Sequence, residues 1–223
     1  MKLSLGNMYQ LLRDIAHVVI YGELDSPDVY VIDDKEVVFV SVAKSASTSI
    51  KSSIYGDPPP GVSIHHQVGH NAQRKIPKQS RHYFAFTIVR DPYRRLASCY
   101  KNKFNMEDES KFIYSKYLLG YLKNDDTFEE FVRKVSKIPD ILSDRHFKSQ
   151  KKIISRSGRV DFIGKVENLQ SDYEKIRQRY GFNELKKRNQ TKGKSPEEMY
   201  TDETRALTYQ RYKIDFDEYD YPE

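Results

Sequence analysis

Six consecutive residues, Lys44-Ser45-Ala46-Ser47-Thr48-Ser49, combine one cation, four hydroxyls and only small side chains beyond the lysine. They follow the apolar run Val37-Val38-Phe39-Val40-Ser41-Val42 and precede Ile50-Lys51-Ser52-Ser53-Ile54, a stretch able to coil into a helix. A strand that turns through a small, hydroxyl-rich loop into a helix suits a phosphate-like anion. The first turn of a helix leaves its N–H groups without carbonyl partners and carries a partial positive charge. Small side chains let the anion approach the backbone. The hydroxyls of Ser47, Thr48 and Ser49 add hydrogen bonds, and Lys44 adds a full charge at the mouth. The loop is not a Walker A sequence, because it lacks G-x-x-x-x-G-K-[ST]. Taken alone, it also fits a plainer description, a buried strand followed by a Ser-capped helix.

Three further groups of residues could do chemistry. Arg90 ends the run His82–Val89 and stands before Asp91-Pro92. Asp91 suits an N-cap and Pro92 a first helical position. A guanidinium there can grip a phosphate through its planar fork, or pair with a nearby carboxylate. Ser98 falls within the helix that follows. His65, His66 and His70 share one polar stretch. They are candidates for a catalytic base or for plain surface positions, and His-His-x-x-x-His without a cysteine or nearby carboxylate is a weak zinc signal. Residues 186–194 form a basic loop, suited to a solvated charge run or to an acidic ligand.

To hold these groups, the chain needs strands that end at Lys44 and Arg90. Val37–Val42 reads as a strand buried on both faces, His82–Val89 as a second strong strand, Val29–Ile32 as a short one, and Val160–Val166 as another buried strand. Met8, Leu11, Leu12, Ile15 and Val19 have helical spacing, broken at Asp25-Ser26-Pro27-Asp28. Asp57-Pro58-Pro59-Pro60-Gly61 ends the helix after the loop. Thr127-Phe128-Glu129-Glu130 and Ser195-Pro196-Glu197-Glu198 read as capping boxes, the second opening a helix to Tyr212. Asn168 is expected to cap a helix that Gly181 closes. Asp144–Gln150 reads as a polar loop. Strands alternating with helices predict an α/β fold: a three-layer sandwich around a central, mainly parallel sheet, with a P-loop-like strand–loop–helix, in a single domain over residues 1–223.

Composition narrows the partners. A net charge of +6 in 223 residues favours an anionic ligand such as a nucleotide, an acidic glycan, nucleic acid or a membrane surface. The single cysteine, Cys99, excludes an internal disulfide and a cysteine-based metal site. No stretch has the roughly 20 apolar residues of a membrane span. No signal peptide is evident, so a cytoplasmic location is the expectation.

Together, the two turns resemble the nucleotide-binding motifs of sulfotransferases that use 3′-phosphoadenosine 5′-phosphosulfate, especially the carbohydrate (family 2) type and its soluble bacterial relatives. Lys44–Ser49 resembles the 5′-phosphosulfate loop. Arg90-Asp91-Pro92 through Ser98 and Tyr100 resembles the 3′-phosphate pattern R-D-P-x-x-R-L-x-S-x-Y. Gly69-His70-Asn71-Ala72-Gln73, His146–Gln150 (their H-x-x-P-Q), Val160–Leu169 (their D-F-I-G-x-x-E-x-L) and Asp202–Tyr212 extend the likeness to the chain's end. There are departures: Ala43 stands for the family's usual Pro, Ala46 for its frequent Gly, and Ser149 for the Pro of H-x-x-P-Q.

The resemblance implies sulfuryl transfer to an acceptor hydroxyl, favouring a sugar, with 3′-phosphoadenosine 5′-phosphate as product and no metal requirement. It assigns Ser45, Ala46, Ser47, Thr48 and Ser49 to the 5′-phosphate, Lys44 to the leaving oxygen, and Arg90 with Ser98 to the 3′-phosphate. Asn189 and Lys192 would belong to a lid over the nucleotide. His70 would be the base, with His66 second. No nucleic-acid partner is expected, and oligomeric state is not readable. Two other readings stand beside it. A P-loop-type small-molecule kinase would want a Walker lysine and a metal-binding carboxylate. A non-catalytic binder of acidic glycan or nucleic acid would use residues 186–194.

Overall fold

The computed structural model describes residues 5–186 and 195–223, with side chains from residue 8 onward. In chain order, the strands are β1 (Asp28–Ile32), β2 (Val37–Ser41), β3 (Phe84–Val89) and β4 (Phe162–Lys165). The helices are α1 (Leu5–Tyr21), α2 (Ser47–Tyr55), α3 (Ile64–Val68), α4 (Pro92–Lys103), α5 (Phe128–Val135), α6 (Gln150–Ser157), α7 (Leu169–Tyr180) and α8 (Asp202–Tyr219). They assort into two compact units: Pro27–Asp91 with Gln150–Gln190, and Met1–Ser26 with Pro92–Ser149 and Thr191–Glu223.

The first unit is built on a sheet of order β1-β2-β3-β4. β1 runs antiparallel to β2, while β2, β3 and β4 are parallel, so the α/β, mostly parallel expectation holds. All of β2 is buried, as its unbroken apolar run requires. Alternate residues Tyr30, Ile32, Val37, Phe39, Phe86 and Ile88 form one core with Ile50 of α2, Ile64 and Val68 of α3, and Tyr173 and Ile176 of α7. Phe39 and Phe86 stack at 5.1 Å between ring centroids. Thr87, buried mid-strand, satisfies its hydroxyl by donating to the Val40 carbonyl at 2.8 Å.

β4 is shorter and more exposed than the buried strand expected over Val160–Val166. It is an edge strand, and Ile163 remains 41% exposed. Asp161 instead works as a strut: its N–H donates to the Ala85 carbonyl and its carboxylate accepts the Ala85 N–H at 2.9 Å. At Gly164, a Cβ would lie 2.6 Å from Ile88 Cδ1 and 3.1 Å from Asp172 Cβ, so the glycine lets α7 pack close without moving the Ile88 side chain. Asn168 does not cap α7 with its side chain, because a 3-10 turn over Val166–Asn168 already leads in. Gly181 closes α7 in the left-handed conformation, as expected.

The second unit is helical. Its core joins Leu96 and Cys99 of α4, Phe131 and Val132 of α5, and Tyr212 and Phe216 of α8 with Phe104, Tyr114 and Phe147. The Thr127–Glu130 capping box forms as read. Ser195 and Glu198 also bond reciprocally, but open only a 3-10 turn. The helix restarts at Thr201, whose own capping box with Thr204 launches α8, and it runs past Tyr212 to Tyr219 with a kink at Tyr212.

The stretch read as a polar loop, Asp144–Gln150, is closed to solvent over its last four residues. Lys148, 1% exposed, donates to Glu23 at 2.8 Å and to the Asp25 carbonyl. Arg145 grips the Asp25 carboxylate bidentately. Arg95 caps the Lys148 and Arg145 carbonyls at 2.8 Å each, and Asp140 receives Arg211 and Ser149. His146 is held by Asp144 at 2.7 Å. No helix among the described residues is long and apolar enough to cross a membrane.

Candidate active site

β2 and β3 lie side by side in parallel, with Val40 opposite Thr87, so the chain leaves both strands at the same edge of the sheet. The turn after β2 and the turn after β3 therefore emerge as neighbours, and ligands of parallel sheets bind at this carboxyl end. Arg90 Nη1 donates to the Lys44 carbonyl at 3.2 Å, joining the two turns directly.

The first turn is sharp. Lys44 and Ala46 are both left-handed, with φ of 67° and 58°. Ser45, 1% exposed, closes it by donating its N–H to the Val42 carbonyl. α2 begins at Ser47, and its first helical bond runs from the Ile50 N–H to the Ala46 carbonyl. The N–H groups of Ser47, Thr48 and Ser49 precede that bond and have no carbonyl partner within the helix. The Ser-capped helix is not observed: the cap is Ala46, no side chain fills the role, and the first turn holds no carboxylate. The amides thus present their partial charge at the open end of the turn, an arrangement that suits an anion.

Gln150 pins the two turns together. Its side chain is fully buried. Its Oε1 accepts from the Arg90 N–H at 2.9 Å and from Ser45 Oγ at 3.3 Å, while its Nε2 donates to the Arg90 carbonyl at 2.8 Å. A second brace comes from Glu167, whose Oε1 accepts the Asp91 N–H at 3.1 Å. Neither residue is a site candidate by sequence pattern alone. Their signal lies in the stretches His146–Gln150 and Val160–Leu169, which carry part of the family resemblance.

Among the three histidines, the His65 ring reaches the loop. Its Nε2 lies 2.9 Å from Thr48 Oγ1 and its Nδ1 lies 3.3 Å from Lys51 Nζ. All three rings are exposed, with His66 on α3 and His70 in the following 3-10 turn. Lys51 is 1% exposed and sits 4.5 Å above the Tyr30 ring centroid. Ser98 lies on α4, in the helical unit, half-buried. Asn189 and Lys192 fall outside the described residues. Among the described residues, no group of three or more His, Cys, Asp or Glu could hold a metal ion.

The chain is similar to known proteins over part of its length. The chain is 35% identical over 119 residues to carbohydrate sulfotransferase 14 of Danio rerio, a match covering 48% of this chain and 32% of that protein. It is 29% identical over 106 residues to carbohydrate sulfotransferase 14 of Mus musculus, covering 43% and 28%. The matches therefore span about a third or less of these relatives' length. No solved structure matches significantly. The model of the sulfotransferase family matches residues 27–222, which takes in the whole sheet and both turns, and the chain belongs to that family.

Proposed function

We propose that the chain moves a sulfuryl group from 3′-phosphoadenosine 5′-phosphosulfate to a hydroxyl of a carbohydrate. What supports this most is the joining of two anion-suited turns at one edge of the sheet by Arg90, Lys44 and Gln150. The residues fit such a ligand: uncapped amides at Ser47–Ser49 and a cation at Lys44 flank one turn, and the Arg90 fork stands at the other. The amides would hold the 5′-phosphate, Lys44 would stabilise charge on the oxygen released from sulfur, and Arg90 would bind the 3′-phosphate. As the acceptor oxygen bonds to sulfur, its proton passes to a base, for which His70 and then His66 are proposed. The released 3′-phosphoadenosine 5′-phosphate leaves with the electron pair of the broken S–O bond. The sugar acceptor follows from the names of the two relatives.

The test is titration calorimetry with 3′-phosphoadenosine 5′-phosphate and with adenosine 5′-phosphate, followed by transfer from sulfur-labelled donor to a panel of glycans. Tight binding of the bisphosphate and labelling of a glycan are expected. Arg90→Ala should weaken the bisphosphate by about 10- to 100-fold and the monophosphate far less, as befits a lost charge-assisted pair. No uptake of the bisphosphate, or equal losses for both nucleotides, rejects the assignment.

A further inference from the structure

We propose that His65 is a positioning residue for the loop: it fixes the direction in which the Thr48 hydroxyl donates. The proposal rests on reading the loop as the nucleotide's phosphate site. Thr48 and Lys51 stand three residues apart on α2 and so share a face. His65 is set opposite them by the start of α3, where its N–H donates to Ser63 Oγ at 3.2 Å.

The direction of each hydrogen bond follows from the donor inventory. The Lys51 ammonium lies over the face of the Tyr30 ring. An ammonium donates and cannot accept. The Lys51 Nζ–His65 Nδ1 contact therefore makes Nδ1 the acceptor. A neutral imidazole that accepts at Nδ1 carries its proton on Nε2, so Nε2–H donates to Thr48 Oγ1. With that lone pair engaged, the Thr48 hydroxyl keeps its own hydrogen for an acceptor at the uncapped end of α2. In the opposite tautomer, Thr48 would donate to His65 and turn a lone pair toward an incoming anion. A buried lysine thus selects the tautomer, the tautomer orients the threonine, and the loop is pre-set to donate.

Two measurements on the full chain test this. Nitrogen NMR of the imidazole in the free protein should show His65 as the Nε2–H tautomer, and the Nδ1–H form overturns the proposal. The second is a cycle of His65→Phe, Thr48→Val and the double variant, read by calorimetry with 3′-phosphoadenosine 5′-phosphate. Each single change should weaken binding about tenfold, the effect of one hydrogen bond to a charged group. The double variant should lose no more than Thr48→Val alone. His65→Gln, which can accept from Lys51 and donate to Thr48, should recover most of the loss. Additive losses, or no recovery with Gln, overturn the proposal while leaving the phosphate site intact. Failure of the unmodified chain to bind the bisphosphate removes the site and the proposal together.

Discussion

Lys51 and Lys148 are buried alike, each about 1% exposed, yet they keep different company. Lys148, in the helical unit, meets the Glu23 carboxylate and the Asp25 carbonyl, and the neighbouring Arg145, Arg95 and Arg211 are each met by a carboxylate or carbonyl. Its charge is cancelled on the spot by a partner distant in sequence. Lys51, in the sheet unit, meets a ring face and an imidazole nitrogen. On the proposed tautomer, the imidazole hands the polarity of the ammonium on to Thr48. The first arrangement ties chain segments together; the second, on the proposed function, supports an anion.

Removing one partner of a closed pair strands a buried charge, so the largest effect is expected at Glu23→Gln. It should cost about 3–5 kcal/mol in denaturant unfolding. Lys51→Met, which removes the charge instead of stranding it, should cost less than half as much. If both variants lose the same stability, the contrast between the two lysines is wrong.

Next comes Lys44→Ala. On the proposed function, it should slow sulfuryl transfer by about 100- to 1,000-fold, or 3–4 kcal/mol. Its unfolding free energy should shift by no more than about 0.5 kcal/mol. Full activity in this variant would strip Lys44 of its role. A large stability loss would make it a structural lysine like Lys148.

Acid should act through Asp144 in the helical unit. Burial pushes the Asp144 carboxyl up, but the His146 ring, its charge and main-chain N–H, and the Tyr114 hydroxyl outweigh burial and bring the carboxyl down to about 2. The unfolded value is near 3.8. A depressed carboxylate contributes stability that is complete above the unfolded value and fades as pH falls through the folded one. The Asp144 contribution should therefore be present at neutral pH and drain away between about pH 4 and 2. Stability curves over that window should flatten in Asp144→Asn, and an unchanged slope would detach Asp144 from acid unfolding.

The same contrast explains what could be read from the chain. Apolar runs such as Val37–Val40 announce themselves, and so do reciprocal caps such as Thr127 with Glu130. Both signals are local. The stretch ending at Gln150 misleads because its burial depends on Glu23 and Asp25, more than a hundred residues away, and pattern reading sees only a run of polar residues. α6 hides for a similar reason: Gln150-Lys151-Lys152-Ile153-Ile154-Ser155-Arg156-Ser157 offers two adjacent apolar residues and no periodicity. The loop's small, hydroxyl-rich make-up and the helix that follows it were legible from the residue types. The meeting of His65 with Thr48 was not, since which of three close histidines faces α2 depends on how α3 is set against it. A left-handed Ala46 was equally invisible, because alanine carries no signal for that conformation.

The smallest expected effect tests the geometry that makes the first turn open. Ala46 holds φ of 58°, a region where a Cβ is strained by about 1–2 kcal/mol. Glycine would remove that strain, while adding about 0.5–1 kcal/mol of backbone entropy to the unfolded chain. The two terms nearly balance, and the release of strain should win, so Ala46→Gly should stabilise the protein by roughly 0.5–1 kcal/mol in denaturant unfolding. Ala46→Val should do the reverse by more, since a β-branched residue tolerates φ above zero least. The pair separates backbone from side chain. If the turn is left-handed because the sheet edge and α2 force it, glycine helps and valine harms. A loss of stability with glycine would mean the methyl group makes contacts worth more than the strain it carries, and the turn would then owe its shape to packing instead of to the backbone.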